Sequence, residues 1–160
     1  MDRAAVAILV SMRPSVAGNE GIASMTASQR VSRNVELSRE GFRLFEAADM
    51  DALISLYGKD AEIWHPEGWP EPGPTVGPRA IKRQFEMVRQ EWTDGRLLID
   101  EIEGRGDWVV ARVRWQARGG GSGADVEVRW SAATRFDGDL IAEVRYFWSH
   151  EDALAAAGWA

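Results

Sequence analysis

The sequence predicts one α+β domain, with helices in its first half and a β-meander in its second. Between residues 34 and 92 apolar side chains recur every three or four positions, the period of helices facing a core. From residue 96 onward the period falls to two, that of strands with one buried face. A short stretch, Asp60-Ala61-Glu62-Ile63-Trp64-His65-Pro66, joins the halves and reads as a strand running into a proline-rich loop.

Bulk properties narrow the function classes. At 160 residues the chain is long enough to bury one real core. Its formal net charge of −6 argues against a nucleic-acid or anionic-membrane surface, which needs a basic excess. With no cysteine there is no disulfide, thiolate metal site or cysteine nucleophile. Only two histidines are present and no HExxH-like spacing, so no metal or other cofactor is read. No apolar run approaches a membrane span, and a cytoplasmic protein is expected. The eight tryptophans supply broad apolar faces with an N–H that wants a partner, a chemistry suited to pocket walls and interfaces.

Residues 1–33 differ from the rest. The apolar run at residues 4–10 is short, Asp2 offsets Arg3, and Gly18, Asn19 and Gly21 follow. A secretory signal wants a basic start and a longer apolar run, so the segment is read as a disordered extension to a domain spanning residues 34–160. Met1, Met12 and Met25 are each readable as the translation start.

Within the domain, Val35, Phe42 and Phe45 form the stripe of a first helix over residues 34–48. Asp49 caps a second, residues 50–57, closed by Gly58. After the joining strand, five prolines between Pro66 and Pro78 alternate with glycines around Trp69. This fixed, irregular loop reads either as a plain connector or as a lid over an apolar pocket. Pro78 suits the first position of a third helix, on which Ile81, Phe85, Val88 and Trp92 face the core.

Strands follow at residues 96–103, 108–118, 125–136 and 140–149. Val109, Ala111, Val113, Trp115 and Ala117 share one face of the second of these. Val126, Val128, Trp130, Ala132 and Thr134 share the same face of the third, and Leu140, Ala142, Val144, Tyr146 and Trp148 of the fourth. The glycine-rich run at residues 119–123 lacks a following Lys-Ser/Thr and a helix, so it reads as a hairpin tip and not a phosphate cradle. Asp137-Gly138 marks a tight hairpin, and Ser149 caps a short final helix in which His150 is read as a surface residue. The opposite sheet face mixes Arg and Glu with Val110, Ile141 and Phe147, a mixture suited to a homodimer interface.

The run Ala48-Asp49-Met50-Asp51-Ala52-Leu53, the strand ending at His65-Pro66, Gly77-Pro78 opening the third helix, and the tail from Tyr146-Phe147-Trp148-Ser149 to Gly158 together resemble the SnoaL-like branch of the nuclear transport factor 2-like superfamily. The resemblance covers residues 34–159 and implies a cone-shaped, curved mixed sheet wrapped around three helices, with a cavity between lid and sheet. It specifies fold far better than function. Compared with the ketosteroid isomerases of that superfamily, the catalytic aspartate base is replaced by His65. The positions of the two oxyanion donors fall near Gly41 and Ala132, and a wall tryptophan matches Trp148. An isomerase of that design is therefore not expected. Nor is the Asp-Arg-Asp set of the superfamily's epoxide hydrolases found at inward positions.

His65 is the candidate general base, or else a structural histidine bonded to the lid, and Tyr146 is the candidate donor. Ile63, Trp69 and Phe85 are candidate ligand contacts from the first half. Val113, Trp115, Val128, Trp130, Val144 and Trp148 are those from the sheet. The expectation is a pocket for a small hydrophobic ligand, with non-catalytic binding favoured. The other reading is proton-transfer chemistry on a small carbonyl or polyketide-like substrate.

Overall fold

A computed structural model describes residues 25–118 and 124–159. Most of the expected extension, residues 1–24, and the glycine-rich hairpin tip lie outside the described residues. Helix α1 spans Ala27–Glu46 and so begins well before residue 34. It is started by chemistry rather than by the apolar stripe. The Gln29 N–H donates to Thr26 Oγ1 at 3.1 Å while the Thr26 N–H donates to Gln29 Oε1 at 2.9 Å, a capping box that satisfies two helix-end donors. Helix α2, Met50–Ile54, is capped by Asp49, which accepts from the Ala52 N–H at 3.2 Å.

Strand β1 runs from Tyr57 to Trp64, so the second helix ends earlier than residue 57. The Ile141 N–H donates to the Leu56 carbonyl at 2.8 Å. Sheet pairing thus claims the backbone that periodicity alone assigns to a helix. The proline loop is not wholly irregular either. Its two-residue strand β2, Thr75–Val76, pairs antiparallel with β1 at Ile63 and Glu62. Helix α3, Pro78–Glu91, follows with proline in its first turn and Ile81 and Phe85 buried.

Strands β3 (Arg96–Arg105), β4 (Trp108–Arg118), β5 (Asp125–Asp137) and β6 (Leu140–Phe147) complete a six-stranded sheet of order β2-β1-β6-β5-β4-β3. β1 and β6 are parallel and the other pairs antiparallel. Register shifts in β3 and β6 bend the sheet. At the β6 shift, Phe136 pairs with Ile141 and Arg135 with Glu143, leaving Ala142 as the extra residue. Ile141 therefore turns into the core with Val144, and the strict alternation expected for this strand fails at its start. The hairpin before it turns through Gly138 (φ 60°), one residue later than the Asp-Gly pair suggests.

Helices α1 to α3 pack on the concave side around Leu44, Leu53, Ile63, Ile81 and Val144, each at most 5 % exposed. At Gly104 the chain needs glycine: a Cβ there would lie 2.8 Å from Val35 and 3.0 Å from Val31 of α1. Helix α4, His150–Ala156, does something the sequence reading did not foresee. It lies against the outer face, and with Trp159 it covers Val110, Ala133 and Phe147. Two of the three apolar residues that suggested a dimer interface are thus used internally, and the third, Ile141, points inward. His150 is no plain surface residue: its Nδ1 lies 2.9 Å from Ser131 Oγ, and its Nε2 approaches Glu101 at 3.4 Å.

Candidate functional site

An apolar cavity of about 140 Å3 lies between the helices and the concave sheet face. Its floor comes from α1 (Ser38, Gly41, Phe42, Phe45) and α3 (Gln84, Phe85, Val88) with Trp92. β5 contributes Val128, Trp130, Ala132 and Thr134, and β6 contributes Ile141, Val144 and Tyr146. Tyr57 from β1, Leu53 from α2, Leu97 from β3, and His65, Pro66, Trp69 and Trp148 complete the lining. The structure thus brings His65, Tyr146, Trp69, Phe85, Val128, Trp130, Val144 and Trp148 together on one lining. Gly41 and Ala132 also face the cavity and bring no polar side chain to it.

Three expected contacts are not in the lining. Ile63 and Val113 are fully buried, and Trp115 is only 1 % exposed. Trp115 stands behind Trp92 (ring centroids 5.6 Å apart) and edge-on to Phe45 (5.9 Å), with the Arg89 guanidinium over its ring at 5.2 Å. It is a core pillar. Trp92, which the sequence placed only in the core, takes the cavity wall beside Trp130 at 5.7 Å. Parity names the face of a strand but not the depth at which a neighbouring helix closes over it.

His65 follows the last residue of β1 and is held from three sides. Its ring stacks on Trp69 at 5.1 Å and 15°. Its Nε2 lies 3.0 Å from Thr75 Oγ1 and 3.0 Å from the Gln84 side-chain nitrogen, which is 3.3 Å from Nδ1. Both ring nitrogens thus have a partner within hydrogen-bond distance, and the tautomer sets which of them accepts. Burial pushes the imidazole below its usual value, and the charge of Glu71 opposes this only in part. A general base in this position would have to give up its contact with Thr75 or Gln84 to reach a substrate proton. The loop is tied down further on: Trp148 Nε1 donates to the Glu67 carbonyl at 2.9 Å.

The other polar groups are two phenols and two alcohols. Tyr146 and Tyr57 have no hydrogen-bond partner among the described residues, and burial raises both above the usual phenol range, with Tyr146 adding to the effect on Tyr57. Ser38 and Thr134 are nearly buried, and Ser38 Oγ has no partner. Tyr57, Ser38, Gln84 and Thr134 were missed as site residues. The inward parity of Thr134 on its strand was a signal for it. Tyr57 was hidden by its assignment to a helix end.

The profile described as a SnoaL-like domain matches residues 39–144, more than half of the chain. The chain belongs to the SnoaL-like family. Its fold recurs in solved structures of the nuclear transport factor 2-like type. An NTF2-like protein of unknown function from Mesorhizobium loti is 20 % identical over 74 % of this chain and 92 % of its own, with a TM-score of 0.61. The epoxide hydrolase/cyclase-like enzyme SalBIII, of pyran ring formation in salinomycin, is 18 % identical over 76 % of this chain and 94 % of its own, with a TM-score of 0.63. RV0760c from Mycobacterium tuberculosis, in complex with estradiol-17beta-hemisuccinate, is 20 % identical over 73 % and 94 %, with a TM-score of 0.62. At these identities the likeness is one of fold. No curated protein matches the sequence significantly. Among the described residues of this SnoaL-like protein, no helix is long and apolar enough to cross a membrane.

Proposed function

We propose that this SnoaL-like protein binds a small hydrophobic ligand in the cavity without transforming it. The observation that carries this is the cavity's composition: aromatic and aliphatic walls, no charged side chain in the lining, and a histidine whose ring nitrogens already have partners in Thr75 and Gln84. Size narrows the ligand. Cavities of about 150 Å3 accept benzene, so about 140 Å3 suits one six-membered ring. A steroid such as the one in the RV0760c complex would require Trp69 and Trp148 to swing away. The second reading is an isomerase-, cyclase-, dehydratase- or hydrolase-type enzyme acting on a small carbonyl or polyketide-like substrate, with His65 as base and Tyr146 as donor. It is favoured by one observation, that burial keeps His65 neutral and hence basic at neutral pH.

An NMR pH titration of the two imidazoles, assigned with His65→Ala and repeated with small cyclic ketones, tests both. The His65 signal is expected to titrate below about 6.5 and to move when a ketone is added, with no product formed. Turnover of a ketone that is lost in His65→Ala would replace binding by catalysis. An imidazole that titrates as if exposed and ignores every ketone would sink both readings.

A further inference from the structure

Buried tyrosine hydroxyls ordinarily find a partner. This protein places two without one, among the described residues, on the lining of a single apolar cavity. They arrive from different ends of neighbouring strands: Tyr57 opens β1 and is 8 % exposed, whereas Tyr146 lies near the end of β6. Each phenol is close enough to the other for a charge on Tyr146 to be felt at Tyr57. A ring-sized molecule between them meets hydrocarbon on nearly every side and an O–H donor from each tyrosine. Burial disfavours the phenolate, so both groups stay donors throughout the physiological range.

We propose that Tyr57 and Tyr146 are the oxygen-recognition pair of this cavity, selecting single-ring hydrophobic ligands that carry a carbonyl or hydroxyl oxygen over hydrocarbons of the same shape. This deepens the pocket reading and rests on it. A ligand oxygen accepts from hydroxyls that no protein group among the described residues engages, whereas a hydrocarbon filling the cavity leaves them unpaired. Discrimination then comes from the two hydroxyl oxygens and not from cavity shape. A phenylalanine at either position keeps the ring and removes only the donor.

Cyclohexanone and methylenecyclohexane, which differ by =O against =CH2, are the probes. Their dissociation constants are measured by NMR titration of the wild type, Tyr57→Phe and Tyr146→Phe. Each substitution is expected to weaken cyclohexanone by about five- to tenfold, the range of one hydrogen bond. Methylenecyclohexane should stay within about twofold, which also shows that the variant is folded. Equal changes for both probes in both variants, or none, would overturn the pair while leaving the pocket standing. Failure of cyclohexanone to bind the wild type would overturn the pocket itself.

Discussion

Trp115 and Trp130 lie opposite in parity terms, inward on adjacent strands, yet only Trp130 meets the cavity. Trp115 is sealed by Trp92, Phe45 and Arg89, and its Nε1 has no partner. Gly95 makes room for it: a Cβ at that position would fall inside the indole's envelope. Gly95→Ala should therefore destabilise the fold by about 1–3 kcal/mol, the cost of overpacking, read as a lower denaturation midpoint with unchanged slope. His65 sets a pH dependence at the same scale. Its folded value lies below the unfolded one, so the unfolded chain binds more protons between the two. Its contribution is complete above about pH 6.5 and is lost as pH falls toward the folded value. The residue identities that matter were readable where they coincided with periodicity, as at Val144, Tyr146 and Phe85. They were unreadable where a second element decides access, as at Trp115.

Elements were legible to within a few residues, except where long-range pairing competes with local pattern. α2 stops at Ile54 because Leu56 is bonded to Ile141, a residue far along the chain. The extra Ala142 in β6 reverses the faces of Leu140 and Ile141, and no local signal announces it. The early start of α1 was legible in principle, since Thr26 and Gln29 stand at capping-box spacing. Arg30 then reaches Asp139 in the β5–β6 turn at 2.8 Å. Thr26→Ala should cost about 1 kcal/mol. The partly exposed Arg30–Asp139 pair is worth less, so Asp139→Ala should shift stability by under about 1 kcal/mol. Thermal melts of the two variants give the order. An Asp139→Ala effect larger than that of Thr26→Ala would show that the ion pair, not the cap, holds the start of α1.

At the scale of the whole molecule, α4 divides the outer sheet face. Val110, Ala133 and Phe147 lie beneath it. What remains open is a field of ion pairs, including Arg114–Asp100 at 2.9 Å, Arg112–Glu101 at 3.1 Å and Arg135–Glu143 at 3.3 Å. Beside them Trp64 is 37 % exposed under Arg145. A homodimer through this face, expected from the sequence, stays a proposal on changed grounds: charged rows rather than an apolar patch would hold it. Sedimentation velocity should then show association that weakens as salt rises, because exposed charges are screened. Association that strengthens with salt would point to an apolar interface elsewhere. By itself the sequence determined the α+β class, the order of helices and strands, the family, and the inward face of most strands. These follow from side-chain periodicity and turn chemistry, which act over a few residues. The tertiary structure alone decided that Tyr57 joins Tyr146 at one cavity, that His65 is held by Thr75, Gln84 and Trp69, and that α4 covers the outer face. Those outcomes depend on contacts between residues far apart in the chain, which local pattern does not encode.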